Sequence, residues 1–324
     1  MPKIIGTETI TSPLTESDLN KKSLCDYIIN VAKGCLHGCH FCYVPSTPVI
    51  RMNEKELQGR GVENPQLDWG DYLFTREDIP EKLDAILARK RTWRETPSGR
   101  GVVLLCSGTD PYQNKQVAQV TRRTIEVLLK HKKRVRVLTR SPLWVSDLDI
   151  LVHPNVAVGM SLPHLDDQLS REVEPYAPLP SKRLKALFKG REAGCRLYLA
   201  MAPTVPFHTF SDFSAYFKTV APLNPEVVFW EPINARGSNG QRMALAGLEW
   251  ASEFGVRSRW AENFVRQWKD VEAAAKLSGL SDKLHIWVDK ELIRCQVSGF
   301  NTEELCKPWF NRPTVEVWKN AQKF

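Results

Sequence analysis

The chain has 324 residues, of which 42% are hydrophobic, so it is long enough to bury one large core. It contains no apolar run of about eighteen residues, and its first 24 residues are polar. The sequence therefore predicts neither a membrane-spanning helix nor a secretion signal, and we expect a cytoplasmic protein without a membrane partner. The net charge of +8 is compatible with phosphate-bearing partners but does not select them, because a solvated Lys/Arg face gives the same value.

The first part of the chain is predicted to lead into a short cysteine-rich loop. Residues 1–24 show no clear periodicity and are interpreted as an extension lying on the main body. Residues 26–31 form a β-branched run that ends in Lys33 and Gly34, which indicates a strand. A strand of this kind delivers the following residues to its carboxyl end, where a barrel places its chemistry.

Three cysteines, Cys35, Cys39 and Cys42, follow this strand at a C-x3-C-x2-C spacing. The spacing is too tight for mutual disulfides and indicates three thiolates on one metal centre. Such ligands suit an iron–sulfur cluster with one open position, or a zinc ion with His37 or His40 as the fourth ligand. No C-x2-C or H-x3-H pair lies elsewhere in the sequence to complete a zinc ribbon or finger.

Beyond the loop, apolar strands alternate with amphipathic helices. A first helix is predicted from Asp78 to about Lys90, with Asp78 as the N-cap. Five further strands are predicted at residues 101–106, 134–138, 156–160, 197–201 and 227–230, with helices between them. Strands that alternate with helices predict a parallel sheet with right-handed crossovers.

Polar residues follow each of these five strands. The clusters span residues 107–113, 139–141, 161–166, 202–206 and 231–237. A single cluster of this kind is usually a helix cap or a turn. Five clusters at the same edge of a parallel sheet instead indicate a functional site.

Two features together resemble a known superfamily. The cysteine spacing, with Phe41 directly before the third cysteine, resembles the radical S-adenosylmethionine (SAM) superfamily. The segments TDPYQ, TRS, EPxAP and APTVP, between Lys33 and Pro206, resemble its spore photoproduct lyase-like branch. The resemblance implies an α/β fold, a partial (β/α)6 TIM-type barrel with N- and C-terminal extensions. The expected boundaries are 1–24 for the N-terminal extension, 25–237 for the barrel and 238–324 for a substrate-related region.

The same resemblance implies two cofactors. The three cysteines would hold a four-iron four-sulfur cluster, and SAM would bind the fourth iron. Reductive cleavage of SAM would then give methionine and a 5′-deoxyadenosyl radical. An electron donor such as flavodoxin or ferredoxin is implied as a partner.

Residue roles at the strand ends are also implied by the resemblance. Thr109, Arg140 and Ser161 correspond to SAM-binding positions of the branch, and Asp110 is a further candidate. Arg140 suits the SAM carboxylate, because a guanidinium offers a fixed two-pronged donor where lysine offers a point charge.

Three more residues are expected near the cofactor. Phe41 and Tyr43 are candidates for an apolar wall that excludes solvent from the radical. The archetype of the branch carries a hydrogen-atom-donor cysteine at the end of its second strand, and Cys106 lies about one residue from that register. Cys106 is therefore interpreted either as this catalytic donor or as a buried structural cysteine.

The C-terminal region is rich in tryptophan and arginine. Helices are predicted at residues 242–254 and 260–277, and strands at 284–288 and 293–297. The tryptophans are Trp230, Trp250, Trp260, Trp268, Trp287, Trp309 and Trp318, and the arginines are Arg236, Arg242, Arg257, Arg259 and Arg266. Interleaved aromatic and arginine side chains suit a base-stacking surface, whereas tryptophans at helical spacing also suit a core.

Three functional hypotheses follow. The first is a radical SAM enzyme that abstracts a hydrogen atom from a nucleic-acid base or lesion in DNA or RNA. The second is a radical SAM enzyme that acts on a peptide or a small metabolite. The third is a metal-stabilised nucleic-acid-binding module without catalysis.

Overall fold

A computed structural model describes residues 3–310, 312 and 314. Its strands are β1 (Ile4–Thr7), β2 (Thr15–Glu16), β3 (Tyr27–Ile29), β4 (Ala32–Gly34), β5 (Tyr72–Thr75), β6 (Val102–Leu105), β7 (Arg134–Thr139), β8 (Val156–Ser161), β9 (Arg196–Thr204), β10 (Val228–Pro232) and β11 (Leu284–Ile286). Its helices are α1 (Pro48–Arg51), α2 (Glu54–Gly59), α3 (Ile79–Arg89), α4 (Lys115–Lys130), α5 (Leu148–Leu151), α6 (Asp167–Val173), α7 (Pro180–Ala193), α8 (Phe210–Val220), α9 (Asn239–Leu245), α10 (Arg257–Leu277) and α11 (Thr302–Cys306).

The main sheet has eight strands in the order β11-β10-β9-β8-β7-β6-β3-β2. The six strands predicted from the sequence are consecutive neighbours, and all of them pair in parallel. β11 adds a seventh parallel strand beside β10, and β2 pairs antiparallel with β3 at the other edge. The predicted α/β fold, a partial barrel of parallel strands, is confirmed.

Side chains rather than backbone hydrogen bonds join the two edges of the sheet within the part of the chain that the structure describes. The turn Asp18–Lys22 lies between them. The Trp287 Nε1 donates to the carbonyl of Lys22 at 3.2 Å, and the Lys22 Nζ lies 3.4 Å from a carboxylate oxygen of Glu231. We call this contact region the seam.

The two faces of the sheet differ in side-chain size. One face packs on the helices through residues such as Val103, Val137 and Val158, which belong to the largest apolar cluster. The other face holds bulky Tyr198 and Phe229 toward the amino ends of the strands. Toward the carboxyl ends it carries the small residues Ser161, Ala200 and Ala202, which line a cavity.

Gly159 is needed where these two parts of the inner face meet. A Cβ atom at this position would lie 2.1 Å from the Cζ atom of Tyr198, so no side chain fits. The Tyr198 hydroxyl donates to the carbonyl of Val137 at 2.8 Å, which fixes the ring across the floor of the barrel. The cavity therefore ends at this ring.

A second, three-stranded sheet in the order β1-β5-β4 carries the cysteine loop. β1 pairs parallel and β4 pairs antiparallel with β5. The first predicted strand therefore does not run directly into the cysteines, because β3 ends at Ile29 and β4 follows it in another sheet. The Nζ of Lys33 lies 3.0 Å from Glu8 and 3.1 Å from Glu56, which ties β4 to the N-terminal segment.

The helix ends follow the local sequence. α4 begins after Asn114, whose side chain accepts a hydrogen bond from the amide of Val117 at 2.9 Å. α7 ends before Gly194, which has a φ of 91°, a left-handed conformation that glycine adopts without strain. Asp78 precedes α3 as predicted, but its side chain makes no capping hydrogen bond.

The C-terminal region packs mainly as core. Trp230, Trp260 and Trp268 are each at most 1% exposed, so the base-stacking interpretation is wrong for these three residues. Trp318 lies outside the described residues. The predicted strand at residues 293–297 is also wrong, because Lys290–Arg294 forms a 3-10 turn and Val297 makes only an isolated bridge.

The arginines of this region have protein partners. Arg257 pairs with Glu291, Arg259 with Glu253, and Arg266 with Asp270.

Within the described ranges, no helix combines the length and the apolar character needed to cross a bilayer.

Candidate functional site

One cavity of about 200 Å³ lies at the carboxyl ends of the parallel strands. It is lined by every residue that the resemblance placed at the cofactors, together with Glu231 and Pro232 of β10 and with Trp287, which follows β11. Those predicted residues are Cys35, Cys39, Phe41, Cys42, Tyr43, Cys106, Thr109, Asp110, Arg140 and Ser161. The fold therefore brings the cysteine loop and the strand ends into contact with one volume.

The cysteine loop is held in place by the segment after β6. The Thr109 Oγ1 donates to the carbonyl of Gly34 at 2.5 Å, and the amide of Leu36 donates to Gln113 Oε1 at 2.7 Å. Gln113 in turn donates to Thr109 Oγ1 at 2.8 Å. Gly34 has a φ of 88°, and a Cβ there would lie 2.3 Å from the carbonyl oxygen of Tyr72. The Thr109 hydroxyl is thus already engaged with the backbone of the loop.

The thiols of Cys35, Cys39 and Cys42 are the candidate ligands of a metal group at this cavity. Cys35 and Cys39 are buried and Cys42 is half-buried, and burial raises the pKa of all three thiols, that of Cys35 to about 12. Among residues 3–310, 312 and 314, no three His, Cys, Asp or Glu side chains are grouped to hold a single ion. Three thiols around one cavity fit a cluster, because each thiolate of a four-iron cluster binds a different iron.

Arg140 takes part in a buried ion-pair network. Its Nε donates to Glu174 at 2.5 Å, and the Nη2 of Arg183 donates to the other oxygen of Glu174 at 2.8 Å. Burial alone would raise the pKa of Glu174, but the guanidinium groups of Arg183 and Arg140 outweigh it and hold that pKa at about 2. Glu174 therefore fixes the direction of Arg140. The sequence analysis used Glu174 only as the first residue of the EPxAP segment, which is typical of a turn, and missed this role.

Asp110 links two strand ends. Its carboxylate accepts hydrogen bonds from the amide of Tyr112 at 2.8 Å, from the Thr139 hydroxyl at 2.7 Å and from the amide of Arg140 at 2.7 Å. Three donors from the protein leave little capacity for a further ligand. Ser161 is 3% exposed, and its carbonyl accepts from Arg183 at 3.1 Å while its side chain lines the cavity.

Cys106 is both buried and in contact with the cavity. It is 4% exposed, and burial raises the pKa of its thiol to about 12. The thiol is therefore protonated at neutral pH, which is the form that a hydrogen-atom donor needs. Its burial equally suits the structural interpretation.

Another wall of the cavity comes from β10, from the loop after it and from Trp287, which follows β11. Arg236 lies 2.6 Å from Asp289, and Asn234 donates to the same carboxylate at 2.6 Å. Glu231 and Trp287 line the same wall. The sequence analysis marked residues 231–237 only as a polar strand end and did not connect them with Trp287, because the two segments are brought together only by the pairing of β10 with β11.

A groove of about 850 Å³ adjoins this wall. Arg236 and Trp287 line both the groove and the cavity. Its other walls come from the turn Asp18–Lys22, the residues after β11, Trp309 and Phe310. The groove therefore lies along the seam and borders the cavity at Arg236 and Trp287.

Helix α9, which follows the loop after β10, also contacts the cysteine loop. The Asn239 Nδ2 donates to the carbonyl of Phe41 at 3.0 Å, and Arg242 donates to the carbonyl of Cys42. Gly237 makes this approach feasible, since a Cβ there would lie 1.9 Å from the Ser46 Oγ.

Comparison with known proteins defines the class. A family model described as the radical SAM superfamily matches residues 29–220 of the chain. The chain therefore belongs to the radical SAM superfamily. Membership implies a four-iron four-sulfur cluster and SAM as cofactors and a reductant to drive the chemistry, so the zinc and non-catalytic hypotheses are withdrawn.

Three relatives with similar sequences carry the description uncharacterized protein. A protein of Acidianus two-tailed virus is 29% identical over 227 residues, which cover 67% of this chain and 71% of the viral protein. A protein of Methanocaldococcus jannaschii is 23% identical over 181 residues, covering 56% of this chain and 61% of the relative. A Mycobacterium tuberculosis protein is 28% identical over 185 residues, covering 56% of this chain and only 50% of the relative.

Solved structures agree with the fold. A mutant of spore photoproduct lyase superposes with a TM-score of 0.61 at 14% identity, over 87% of this chain and 80% of that one. Another mutant of that lyase, with bound AdoMet and dinucleoside spore photoproduct, superposes with a TM-score of 0.60. SuiB of Streptococcus suis, bound to precursor peptide SuiA, superposes with a TM-score of 0.53 at 10% identity, over 94% of this chain and 52% of that one.

The ion-pair network predicts a pH-dependent stability. The depressed pKa of Glu174 corresponds to about 3 kcal/mol of stability, which is present above its ordinary pKa of 4.5 and is lost as pH falls toward 2. We expect Glu174→Gln to lower the free energy of unfolding of the cluster-free protein by about 3 kcal/mol at pH 7, and by progressively less below pH 4.5. Urea unfolding followed by circular dichroism at several pH values measures this difference.

Glu192→Gln is the matched control, because Glu192 is exposed on the neighbouring helix α7. A difference between wild type and Glu174→Gln that stays constant from pH 7 to pH 3 would contradict the assignment of charge to Glu174.

Proposed function

We propose that this chain is a radical SAM enzyme that holds its cluster through Cys35, Cys39 and Cys42 and abstracts a hydrogen atom from an organic substrate. The single observation that carries this proposal is the convergence of three thiols and the polar strand ends on one cavity. When bound, the reduced cluster supplies the electron that cleaves SAM to methionine and a 5′-deoxyadenosyl radical. Flavodoxin or ferredoxin is the proposed source of that electron.

The residues around the cavity are assigned to orienting SAM. Arg140 carries the charge for the SAM carboxylate, and the ion pair with Glu174 limits its rotation. Ser161 offers a hydroxyl on the cavity wall. Thr109 and Asp110 act mainly by fixing the cysteine loop and the β6 and β7 ends, because their side chains are already hydrogen-bonded within the protein.

Other residues shield the radical. Phe41 is 7% exposed and its ring lies 5.4 Å from the Arg140 guanidinium carbon, so it forms the inner part of the wall. Tyr43 is 46% exposed, and its ring lies 5.6 Å from the Arg236 guanidinium carbon at the mouth. Cys106 is assigned as the candidate hydrogen-atom donor, since it presents a protonated thiol to the cavity.

The groove along the seam is the proposed route for the substrate. Its aromatic residues and the side chains of Lys21, Lys22 and Lys290 suit a nucleic-acid base with its flanking phosphates, in line with the resemblance to spore photoproduct lyase. A peptide is the second candidate, because the same groove also carries the carboxylates of Asp18 and Asp289. Balanced charge suits a polypeptide better than a polyanion.

The first experiment tests radical initiation. Wild-type protein reconstituted anaerobically with iron and sulfide, then reduced and supplied with SAM, should form 5′-deoxyadenosine, and Cys39→Ala should form none because one cluster ligand is lost. Mass spectrometry of the nucleoside, with iron and sulfide analysis, measures both. Cys295→Ala is the control, since Cys295 lies far along the chain outside the cavity lining. A cluster-free wild-type protein would overturn the proposal.

The second experiment tests Arg140. Loss of a charged hydrogen bond costs about 1.5–3 kcal/mol, so Arg140→Ala should weaken SAM binding by roughly 10- to 100-fold while the cluster absorbance stays unchanged. Anaerobic equilibrium dialysis measures the affinity. Arg134→Ala is the control, because Arg134 lies at the other end of β7 and pairs with Glu95. Equal SAM affinity in wild type and Arg140→Ala would contradict the assignment.

The third experiment separates the substrate classes. If three lysines contact phosphates, binding of a fluorescent single-stranded oligonucleotide should fall by more than about tenfold between roughly 50 and 200 mM salt. Fluorescence anisotropy measures the affinity for the protein and for a variant with Lys21, Lys22 and Lys290 changed to Gln. Binding that depends neither on salt nor on these lysines would favour the peptide.

A further inference from the structure

Arg242 is a buried cation without an anionic partner among residues 3–310, 312 and 314. It lies in α9 and is 4% exposed. Its two terminal nitrogens donate to main-chain carbonyls, one to Gln66 at 2.6 Å and one to Cys42. Its Nε is buried and makes no hydrogen bond in the described part of the chain.

A guanidinium in this position needs a compensating charge. A buried ion without a counter-ion costs several kcal/mol, and two carbonyl dipoles offset only part of that cost. The other guanidinium groups near the cavity have such a counter-ion, because Arg140 and Arg183 share the carboxylate of Glu174. Arg242 is therefore a positive charge beside Cys42 that no carboxylate of the described residues balances.

The surroundings of Arg242 show that this placement is built into the fold. Asn239, one turn earlier in the same helix, donates to the carbonyl of Phe41 at 3.0 Å. Ser238 donates through its amide to the Ser46 Oγ at 3.1 Å and through its hydroxyl to Gln66 at 2.7 Å. The start of α9 is thus fixed to both sides of Cys42, and Arg242 has little freedom to turn toward solvent.

We propose that Arg242 is the counter-charge of the cluster held by Cys35, Cys39 and Cys42, and that it raises the reduction potential of that cluster. The inference rests on the proposed function. Three thiolates and the cluster carry net negative charge, which increases by one unit when one electron arrives from the reductant. A fixed cation nearby stabilises the more negative state, so reduction becomes more favourable.

The test compares a charge-removing and a charge-retaining variant. Arg242→Gln removes the cation, whereas Arg242→Lys keeps it and loses the forked geometry. Each protein is reconstituted anaerobically, its iron and sulfide are counted, and its midpoint potential is measured by redox titration followed by electron paramagnetic resonance. Arg257→Gln is the control, because Arg257 belongs to the same C-terminal region but is exposed and paired with Glu291.

We expect Arg242→Gln to shift the reduction equilibrium about tenfold toward the oxidised state, which is 59 mV for a one-electron couple. Arg242→Lys and Arg257→Gln should stay near the wild-type potential. Loss of the cluster in Arg242→Gln but not in Arg242→Lys would equally support a counter-charge.

Three results would overturn the inference. An unchanged potential in Arg242→Gln would show that the charge does not act on the cluster. Equal shifts in Arg242→Gln and Arg242→Lys, or cluster loss in both, would show that the hydrogen bonds matter and the charge does not. A wild-type protein that binds no cluster would overturn the proposed function as well, so the two failures are distinguishable from the wild-type sample alone.

Discussion

The hydrogen bond from the Thr109 hydroxyl to the carbonyl of Gly34 is the contact on which the site depends. It joins the residue before the first cysteine to the segment that follows β6. Gln113 reinforces it by bonding both to Thr109 and to the amide of Leu36. This connection ties the start of the cysteine loop to the main sheet, while Asn239 and Arg242 hold the same loop further along, at Phe41 and Cys42.

Two sets of charged side chains lie near the cysteine loop. On one side of the cysteines, Glu174 binds two guanidinium groups and orients Arg140. Arg242, in contrast, donates to the carbonyl of Cys42 and pairs with no carboxylate in the ranges that the structure describes. Arg140 and Arg242 therefore differ in how their charge is balanced. Arg140, oriented by Glu174, is suited to a cofactor carboxylate, whereas Arg242 is suited to a negatively charged cluster.

The strand series and most of the residues that line the cavity could be predicted from the sequence. The six strands are mostly short apolar runs separated by helical segments. Parallel strands place their carboxyl ends on one edge, so residues as distant as Thr109 and Ser161 could be grouped in advance. The small sheet was not predictable, since β4 and β5 have three and four residues and are defined by their pairing.

The other features that could not be predicted from the sequence also depend on contacts between residues far apart in the chain. A sequence that interleaves tryptophans with arginines is compatible both with a core and with a binding surface. Only the tertiary packing shows which of the two is present, and it buries Trp260 and Trp268. Arg242 lies 200 positions after Cys42 in the chain, with no local signal that links them. Glu174 reads as part of a turn until both of its arginines are placed.

The seam gives the barrel wall an uneven strength. Elsewhere around the cavity, neighbouring strands share a ladder of backbone hydrogen bonds, and parting them would break several at once. At the seam, the polar contacts between the two edges in the described part of the chain are the indole-to-carbonyl hydrogen bond, the lysine–glutamate pair and the Lys22–Trp287 cation–π contact. The hydrogen bond and the ion pair are together worth about 1–3 kcal/mol. A bulky ligand can therefore widen the barrel from the side at Lys22 and Trp287 while the cysteine loop and the β6–β8 ends keep their positions.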